Sequence, residues 1–226
     1  MKLEVENITK KYKDKTAVDN VSITFTPGVW GLLGANGAGK TTLMRMIAGI
    51  MEPTEGKILY DGVPIETLQG EYRRIFGYLP QEFGFYPEFN VQDYLEYMAA
   101  LKGMPKREAK RKIDELLEQV SLSEVRKKKI VKLSGGMKKR LSIACALSNH
   151  APFLVMDEPG AALDLECKED IRSYLKQYMA DGGAVVLTSH ELGELSLCSR
   201  MYALRDGTLH EIASGLTADE LIGQFR

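Results

Sequence analysis

Residues 34–41 constrain the fold of this chain more than any other segment, because they fit the pattern G-x-x-x-x-G-K-[ST]. Residues 29–33 form a short apolar run that predicts a buried strand, and residues 41–50 predict a helix directly after the motif. Glycines allow a tight turn that points backbone N–H groups at phosphate oxygens, and the start of a helix adds a favourable dipole. The segment therefore predicts a strand, a phosphate-binding loop and a helix, in that order.

Two side chains of this loop have the chemistry that binding a nucleotide requires. Lys40 is a mobile cation for the β- and γ-phosphates, and the hydroxyl of Thr41 is a ligand for Mg²⁺. A glycine-rich turn with a chance lysine would also fit the pattern, but the flanking strand and helix disfavour that interpretation. The expected contacts to the nucleotide come from Gly34, Asn36, Gly37, Ala38, Gly39, Lys40, Thr41 and Thr42.

A second apolar run, at residues 153–156, ends in the two carboxylates of Asp157 and Glu158. Ligands of open α/β sheets bind beyond the carboxyl ends of the strands. We therefore expect Asp157 to hold Mg²⁺, directly or through water, and Glu158 to polarise an attacking water. A solvated loop start is the alternative for this pair alone. Together with the phosphate loop, the pair is the expected second half of a nucleotide site.

Apolar periodicity outlines the rest of the fold. Alternating residues at 3–5 and 21–25 predict half-buried strands, whereas the middle of the chain has helical spacing. Strands that alternate with helices indicate an α/β fold with a largely parallel sheet. The other expected strands are 57–60, 74–79, 153–156, 184–187, 202–204 and 208–212, and the other expected helices are 91–101, 108–120, 134–148, 165–179 and a short one from 191. We interpret the helical middle, residues 88–150, as a subdomain inserted into a single domain of residues 1–226.

Charge and hydropathy argue against several classes of protein. The net charge is −1, and nucleic-acid binders usually carry a basic excess, so we expect no nucleic-acid partner. We interpret the basic runs at 106–112 and 126–132 as solvated surfaces, with contact to lipid headgroups or a membrane partner as the alternative. No segment has the roughly 18 apolar residues of a membrane span, and the N-terminus lacks the apolar core of an export signal.

The cysteines give no sign of a structural cross-link. There are three of them, Cys145, Cys167 and Cys198, and they are far apart and lack C-x-x-C spacing. Neither a disulfide framework nor a zinc site is therefore expected. Cys145 lies in an apolar helical stretch, where we expect a small core residue.

The segment Leu-Ser-Gly-Gly at 133–136 decides which family the chain resembles. It lies just before a predicted helix and ahead of the acidic strand end. The phosphate loop, this segment and the acidic strand end occur in the order found in the ATP-binding-cassette (ABC) family, and the match spans nearly the whole chain. The chain resembles the nucleotide-binding subunit of an ABC transporter. The resemblance implies a P-loop NTPase core, an N-terminal antiparallel β subdomain and an inserted α-helical subdomain.

The resemblance also implies roles for single residues, with ATP and Mg²⁺ as cofactors. Tyr12 matches the aromatic residue that stacks on adenine, although local packing is the alternative. Gln81 matches the glutamine that reaches Mg²⁺ and the attacking water, and His190 matches the histidine that contacts the γ-phosphate. The segment 160–164 matches the loop that contacts an opposite subunit. Ser134, Gly135 and Gly136 match the residues that bind the triphosphate held by that subunit.

Two positions depart from the family pattern. Met137 stands where glutamine is usual, after the Leu-Ser-Gly-Gly segment. The expected phosphate contacts come from the serine and the glycine backbone, so we expect activity to survive this change. Val29 and Trp30 follow Gly28 where the family commonly has glutamate before the strand, and nothing in the sequence explains that difference.

The resemblance further implies two kinds of partner. One is a second copy or a homologous ATP-binding subunit, arranged head to tail so that ATP closes the dimer and hydrolysis loosens it. The other is an integral membrane permease, which would place the chain at the cytoplasmic face of the membrane. Four aromatic residues at 82–89 are expected either to dock that permease or simply to pack within the subdomain.

Other functions compete with transport. A soluble cassette ATPase that moves no solute, for example one in cofactor assembly, stays open as the alternative. Members with long coiled coils are disfavoured, because residues 41–133 show no sustained heptads. A pure ATP sensor is disfavoured too, because it would not need the hydrolytic groups Glu158 and His190.

Overall fold

A computed structural model describes residues 1–148, 151–161, 163–189 and 191–213 of the chain. The strands are β1 (Leu3–Tyr12), β2 (Lys15–Phe25), β3 (Gly28–Leu33), β4 (Glu55–Tyr60), β5 (Val63–Pro64), β6 (Phe76–Leu79), β7 (Phe153–Asp157), β8 (Ala184–Thr188), β9 (Arg200–Arg205) and β10 (Thr208–Ile212). The helices are α1 (Lys40–Ile47), α2 (Ile65–Leu68), α3 (Gly70–Arg74), α4 (Val91–Leu101), α5 (Lys106–Gln119), α6 (Gly135–Leu147), α7 (Leu165–Ala180) and α8 (Leu192–Leu195). Short 3₁₀ helices cover Ser123–Val125 and Ile130–Lys132.

The central sheet has six strands in the order β10-β9-β3-β8-β7-β6. All neighbours are parallel except β10, which pairs antiparallel with β9. Strands β7 and β8 are buried along their whole length, which explains why their sequences are apolar runs rather than alternating patterns. The predicted α/β fold with a mostly parallel sheet is confirmed. Because β3, β8 and β7 are neighbours, the segments that follow them share one edge.

A second sheet is antiparallel and has the order β2-β1-β4-β5. Its buried side chains include Leu3, Val5 and Ile8 of β1. Leu3 and Val5 follow the alternation of a strand, and a register shift after Val5 turns Ile8 to the same core side. They join one cluster with the buried side of α1, which contributes Leu43 and Ile47. Helix α1 is therefore held between the two sheets. This sheet confirms the expected N-terminal antiparallel part of the fold.

Helices α4, α5 and α6 follow one another between β6 and β7 and pack into one apolar cluster. Asn90 caps α4 by accepting a hydrogen bond from the Asp93 N–H at 2.9 Å. The three helices lie inside residues 88–150, and the status of that segment as a separate subdomain stays a prediction. None of the helices among the described residues combines the length and apolar composition that crossing a membrane requires.

Several element boundaries differ from the sequence prediction, and two of these differences have a clear physical cause. Helix α1 ends at Ile47 rather than at residue 50, because Gly49 has a φ of 66° and breaks the helical geometry. The strand expected from residue 74 begins at Phe76, because the residues before it form α3. Tyr72 anchors that helix: it is buried, and its hydroxyl donates to the Ile47 carbonyl at 2.5 Å.

The three cysteines, Cys145, Cys167 and Cys198, are buried free thiols. Cys145 is 1% exposed, as expected of a small core residue. Among the described residues, no group of three or more His, Cys, Asp and Glu side chains is arranged to hold a metal ion.

Candidate functional site

The loop between β3 and α1 depends on glycine at both ends. Gly39 has a φ of 105°, and a β-carbon built on it would lie 2.0 Å from the Ala17 carbonyl oxygen. A β-carbon on Gly34 would lie 2.7 Å from the Leu204 carbonyl oxygen. Both distances are too short for any side chain, so the neighbouring strands fix the path of the loop. The loop leaves the carboxyl end of β3 and enters the first turn of α1.

The side chain of Lys40 folds back on this loop. Its amino group donates to the carbonyl oxygens of Gly34 at 2.6 Å and Ala35 at 3.1 Å. Burial lowers the pKa of Lys40, and the nearby carboxylates of Asp157 and Glu158 oppose that shift. The lysine is a partly desolvated cation that can exchange carbonyl oxygens for phosphate oxygens.

Asp157 joins the loop to the ends of two neighbouring strands. The Thr41 hydroxyl donates to Asp157 Oδ2 at 3.0 Å, and the Thr188 hydroxyl donates to Oδ1 at 2.6 Å. Asp157 is 2% exposed and faces Thr188 in the register of β7 and β8. Oxygen ligands are those that Mg²⁺ prefers, so the hydroxyl of Thr41 and the carboxylate of Asp157 fit this ion, and phosphate and water oxygens would complete its shell.

Glu158 has an unusual backbone conformation. Its φ is 51°, in the left-handed region that non-glycine residues avoid at a cost of about 1 kcal/mol or more. Its N–H lies within hydrogen-bonding distance of both the carbonyl and the hydroxyl oxygen of Thr188, at 3.1 and 3.0 Å. The Glu158 carbonyl accepts from the Ala161 N–H at 3.3 Å, which closes a turn over residues 158–161. Such strained positions cluster at functional sites, where the surrounding structure holds them.

One cavity of about 530 Å³ brings most of the predicted nucleotide residues together. It is lined by Tyr12, Asn36, Gly37, Gly39, Lys40, Thr41, Thr42, Gln81, Asp157 and Glu158, together with Lys15 and Ala17. Gly34 and Ala38 are in the same loop but do not line the cavity. Tyr12 is 43% exposed at its rim, with its hydroxyl 2.9 Å from the Met51 sulfur. The ring thus has both a local contact and an open face.

Two polar residues at this site were not predicted. Lys15 lines the cavity and donates to the Gly37 carbonyl at 3.3 Å, so it brings a second cation to the loop. Thr188 holds both Asp157 and Glu158. In the sequence, Thr188 is marked only as a polar residue at the end of an apolar strand. This position indicates a site residue only when β8 is known to lie beside β7, which places Thr188 opposite Asp157.

Ser134, Gly135 and Gly136 are not brought to the phosphate loop of the same chain. Ser134 caps α6, and its hydroxyl oxygen accepts from the Met137 N–H at 3.3 Å. Ser134 and Gly135 are exposed, and a β-carbon on Gly135 would meet nothing within 4 Å. The start of α6 is an open, N–H-rich surface separate from the cavity around Lys40. A role for it toward a second subunit stays a prediction.

The aromatic segment after Gln81 lines a groove of about 560 Å³. Phe83, Phe85 and Phe89 are partly buried against the core, whereas Tyr86 is 57% exposed. Most of these rings therefore pack inward, and Phe83 and Phe85 also line the groove. Docking of a permease on this segment stays a prediction. Gln81 lines both this groove and the nucleotide cavity.

Some predicted residues lie outside the described part of the chain. His190 is one of them, and Ala162 in the segment 160–164 is another. In the rest of that segment, Asp164 caps α7 by accepting from the Cys167 N–H at 2.9 Å, and it pairs with Arg140 of α6.

Comparison with known proteins adds independent findings. The family described as ABC transporter matches residues 18–161. The chain is 36% identical to the linearmycin resistance ATP-binding protein LnrL of Bacillus subtilis (strain 168), over 96% of this chain and 70% of that protein. It is 38% identical to the Nod factor export ATP-binding protein I of Rhizobium etli, over 98% of this chain and 71% of that protein.

Solved structures agree over almost the whole chain. The structure of an ATP-binding subunit of an ABC transporter matches with a TM-score of 0.91 and 26% identity, covering 99% of both chains. The dimeric ATP-binding cassette MJ0796, in a post-hydrolysis state bound to ADP and Pi, matches with a TM-score of 0.87 and 28% identity. That match covers 95% of this chain and 100% of the other.

Proposed function

The chain belongs to the ABC transporter family as an ATP-binding and ATP-hydrolysing subunit, and from that membership we propose how its residues divide the work. The phosphate loop, the acidic end of β7 and Gln81 form one ATP site. The observation that carries this proposal is the position of Asp157, which Thr41 and Thr188 hold at the edge shared by β3, β7 and β8. No packing role explains a buried carboxylate held at the mouth of a cavity.

Binding of ATP rests on the phosphate loop, on Lys40 and on the neighbouring Lys15 of β2. The backbone N–H groups of residues 34–39 and the start of α1 receive the phosphates. Lys40 exchanges its bonds to Gly34 and Ala35 for the β- and γ-phosphate oxygens. Lys15 adds charge at the rim, and the open face of Tyr12 stacks on adenine. Thr41, Asp157 and Gln81 would hold Mg²⁺, which supplies charge that neutralises the phosphate oxygens.

Hydrolysis rests on Glu158 and on the histidine two residues beyond Thr188. Glu158 takes a proton from the attacking water as the water oxygen bonds to the γ-phosphorus and the bond to ADP breaks. Its left-handed backbone is held by Thr188, and Glu158 lines the cavity. His190 contacts the γ-phosphate, a role that rests on its match to the family motif.

The site is completed by a second subunit. Ser134 and the N–H groups of Gly135 and Gly136 form an exposed anion-binding surface at the start of α6, away from the loop of their own chain. One triphosphate bridges this surface and the phosphate loop of a second copy or a homologous subunit. Loss of the γ-phosphate removes the bridging charge and loosens the dimer.

The ATP cycle drives a membrane-spanning permease at the cytoplasmic face of the membrane. We propose that the transporter is an exporter, because the relatives named for export or resistance cover nearly the whole chain at 36–38% identity. The permease docks in the groove beside Gln81, since that residue lines both cavities and so connects the docking groove to the ATP site.

A capture experiment with matched variants tests this assignment. A tagged copy is purified from membranes of its own source, and the membrane proteins that accompany it are identified. Val131 lines the groove and is 57% exposed, so Val131→Glu should lose a permease that the wild type retains. Ile50, 60% exposed but not part of the groove, is the control, and Ile50→Glu should retain it. Capture of the same multi-span protein by both variants would contradict docking in the groove.

A further inference from the structure

Glu194 is a buried glutamate, and glutamate is rarely buried without a partner. It lies in the short helix α8 and is 1% exposed. Neither of its carboxylate oxygens has a hydrogen-bond partner among the described residues. Buried polar groups are normally paired, and an unpaired carboxylate is costly to bury. A residue kept in this state requires a physical reason.

The carboxyl group of Glu194 packs directly against the turn that begins at Glu158. A β-carbon built on Gly160 would lie 2.2 Å from Oε1 of Glu194 and 3.1 Å from its Cδ. Gly160 has no left-handed φ, so this close approach, rather than backbone freedom, is what favours glycine there while the Glu194 side chain keeps its position. The backbone of the turn 158–161 therefore rests on Glu194.

Charged groups lie around Glu194, and none in the described part of the chain forms a hydrogen bond with its carboxylate. Lys168 of α7 donates to Glu191 at 2.7 Å, and Arg172 of α7 pairs with Glu169. Lys139 of α6 also faces the carboxylates of Asp157, Glu158 and Glu194. Burial raises the pKa of Glu194 and Glu191 adds to that shift, while Ser189, Arg172 and Lys168 oppose it. The Ser189 hydroxyl lies close enough to the Glu194 carboxyl group to favour its charged form. It does not have the geometry of a hydrogen bond to either carboxyl oxygen.

We propose that Glu194 is a positioning residue for ATP hydrolysis, which supports the turn 158–161 at Gly160 and so holds the Glu158 carboxylate in its working orientation. The inference rests on the proposed role of Glu158. Thr188 fixes the N-terminal side of the turn, and Glu194 fixes its far side. A strained residue such as Glu158 persists only when its surroundings determine its conformation from several directions. Glu194 therefore acts through its shape and its contact rather than through an ion pair.

The test separates turnover from binding. Glu194→Ala should lower kcat by between ~10-fold and ~100-fold, the effect expected when a reacting group moves by about 1 Å. KM for ATP should stay within about twofold, because the phosphate loop is untouched. Glu194→Gln keeps the shape of the side chain, so it should hydrolyse ATP within about threefold of the wild type. Ser196→Ala, an exposed change in the same segment, is the matched control.

A variant on the other side of the contact covers the case in which Glu194→Ala does not fold. Gly160→Ala places a methyl group against Oε1, so kcat should fall while ATP still binds. Where Glu194→Ala does fold, combining the two changes removes the clash, and the double variant should be more active than Gly160→Ala alone. Full activity of Gly160→Ala would overturn the proposal.

Several outcomes decide between the proposals. Wild-type kcat in Glu194→Ala, or equal losses in Glu194→Ala and Glu194→Gln, would also overturn the positioning role. The proposed role of Glu158 fails separately, if the wild-type chain does not hydrolyse ATP or if Glu158→Gln is as active as the wild type. Hydrolysis that depends on Glu158 but not on Glu194 would refute this inference alone.

Discussion

Replacing Thr188 with valine removes one hydroxyl and leaves the shape of a buried side chain almost unchanged. That hydroxyl donates to Asp157 Oδ1 at 2.6 Å and lies 3.0 Å from the Glu158 N–H. The Glu158 N–H keeps the Thr188 carbonyl at 3.1 Å as an acceptor, so the main loss falls on Asp157. Among the described residues two hydroxyls donate to this buried carboxylate, and the variant leaves only that of Thr41.

The expected loss of stability follows from the loss of one hydrogen bond to Asp157. A hydrogen bond to a charged group contributes ~1.5–3 kcal/mol, and Asp157 is too deeply buried for water to replace the donor fully. For a domain of this size each kcal/mol changes Tm by ~2–4 °C, so Thr188→Val should melt about 3–12 °C below the wild type. Half-saturation of ATPase activity by Mg²⁺ should also need more of the ion, because Asp157 is less firmly placed.

Thermal unfolding followed by circular dichroism, and phosphate release at several Mg²⁺ concentrations, measure these two effects. Thr188→Ser retains the hydroxyl and should keep most of the Mg²⁺ response. If Thr188→Val melts within 1 °C of the wild type and has the same Mg²⁺ dependence, the role assigned to the Thr188 hydroxyl is wrong.

Two further variants address the ATP site itself. Glu158→Gln should still bind ATP and accumulate an ATP-bound dimer but lose ~10²–10⁴-fold in turnover, and unchanged steady-state phosphate release would refute the role of Glu158 as general base. Lys40→Ala should lose ATP affinity, which calorimetry can measure, and wild-type affinity would contradict the assignment of Lys40. Because burial lowers the pKa of Lys40, affinity in the wild type should also weaken as pH rises through that pKa, at lower pH than for an exposed lysine.

The parts of the site that sequence could predict are those whose chemistry is local. The phosphate loop, with its strand and helix, is specified by adjacent residues, and the apolar run that ends in Asp157 marks a strand end in the same way. The alternation in β1 and the helical spacing in α4 predicted both elements, and α4 has the expected bounds, 91–101. These patterns depend on the period of each element and not on its neighbours.

The missed features depend on which strands lie side by side. Thr188 becomes a site residue only because β8 pairs with β7 and places it opposite Asp157. Lys15 reaches Gly37 because the β1–β2 hairpin folds beside the loop. Glu194 lies in a helix of four residues, which is too short to show a period, and a glutamate is normally expected to be exposed. Helix α3 is fixed by the contact of Tyr72 with Ile47, 25 residues away.

The burial of all three cysteines makes this chain convenient for labelling experiments. Burial raises the pKa of Cys145 and of Cys198 to about 12 and also raises that of Cys167, so the reactive thiolate is scarce at neutral pH. Since the thiolate is the nucleophile toward maleimides, the native protein should give little background. One cysteine introduced on an exposed surface would then carry a single fluorophore or spin label. A distance between two such labels would report directly on the approach and separation of paired subunits during the nucleotide cycle.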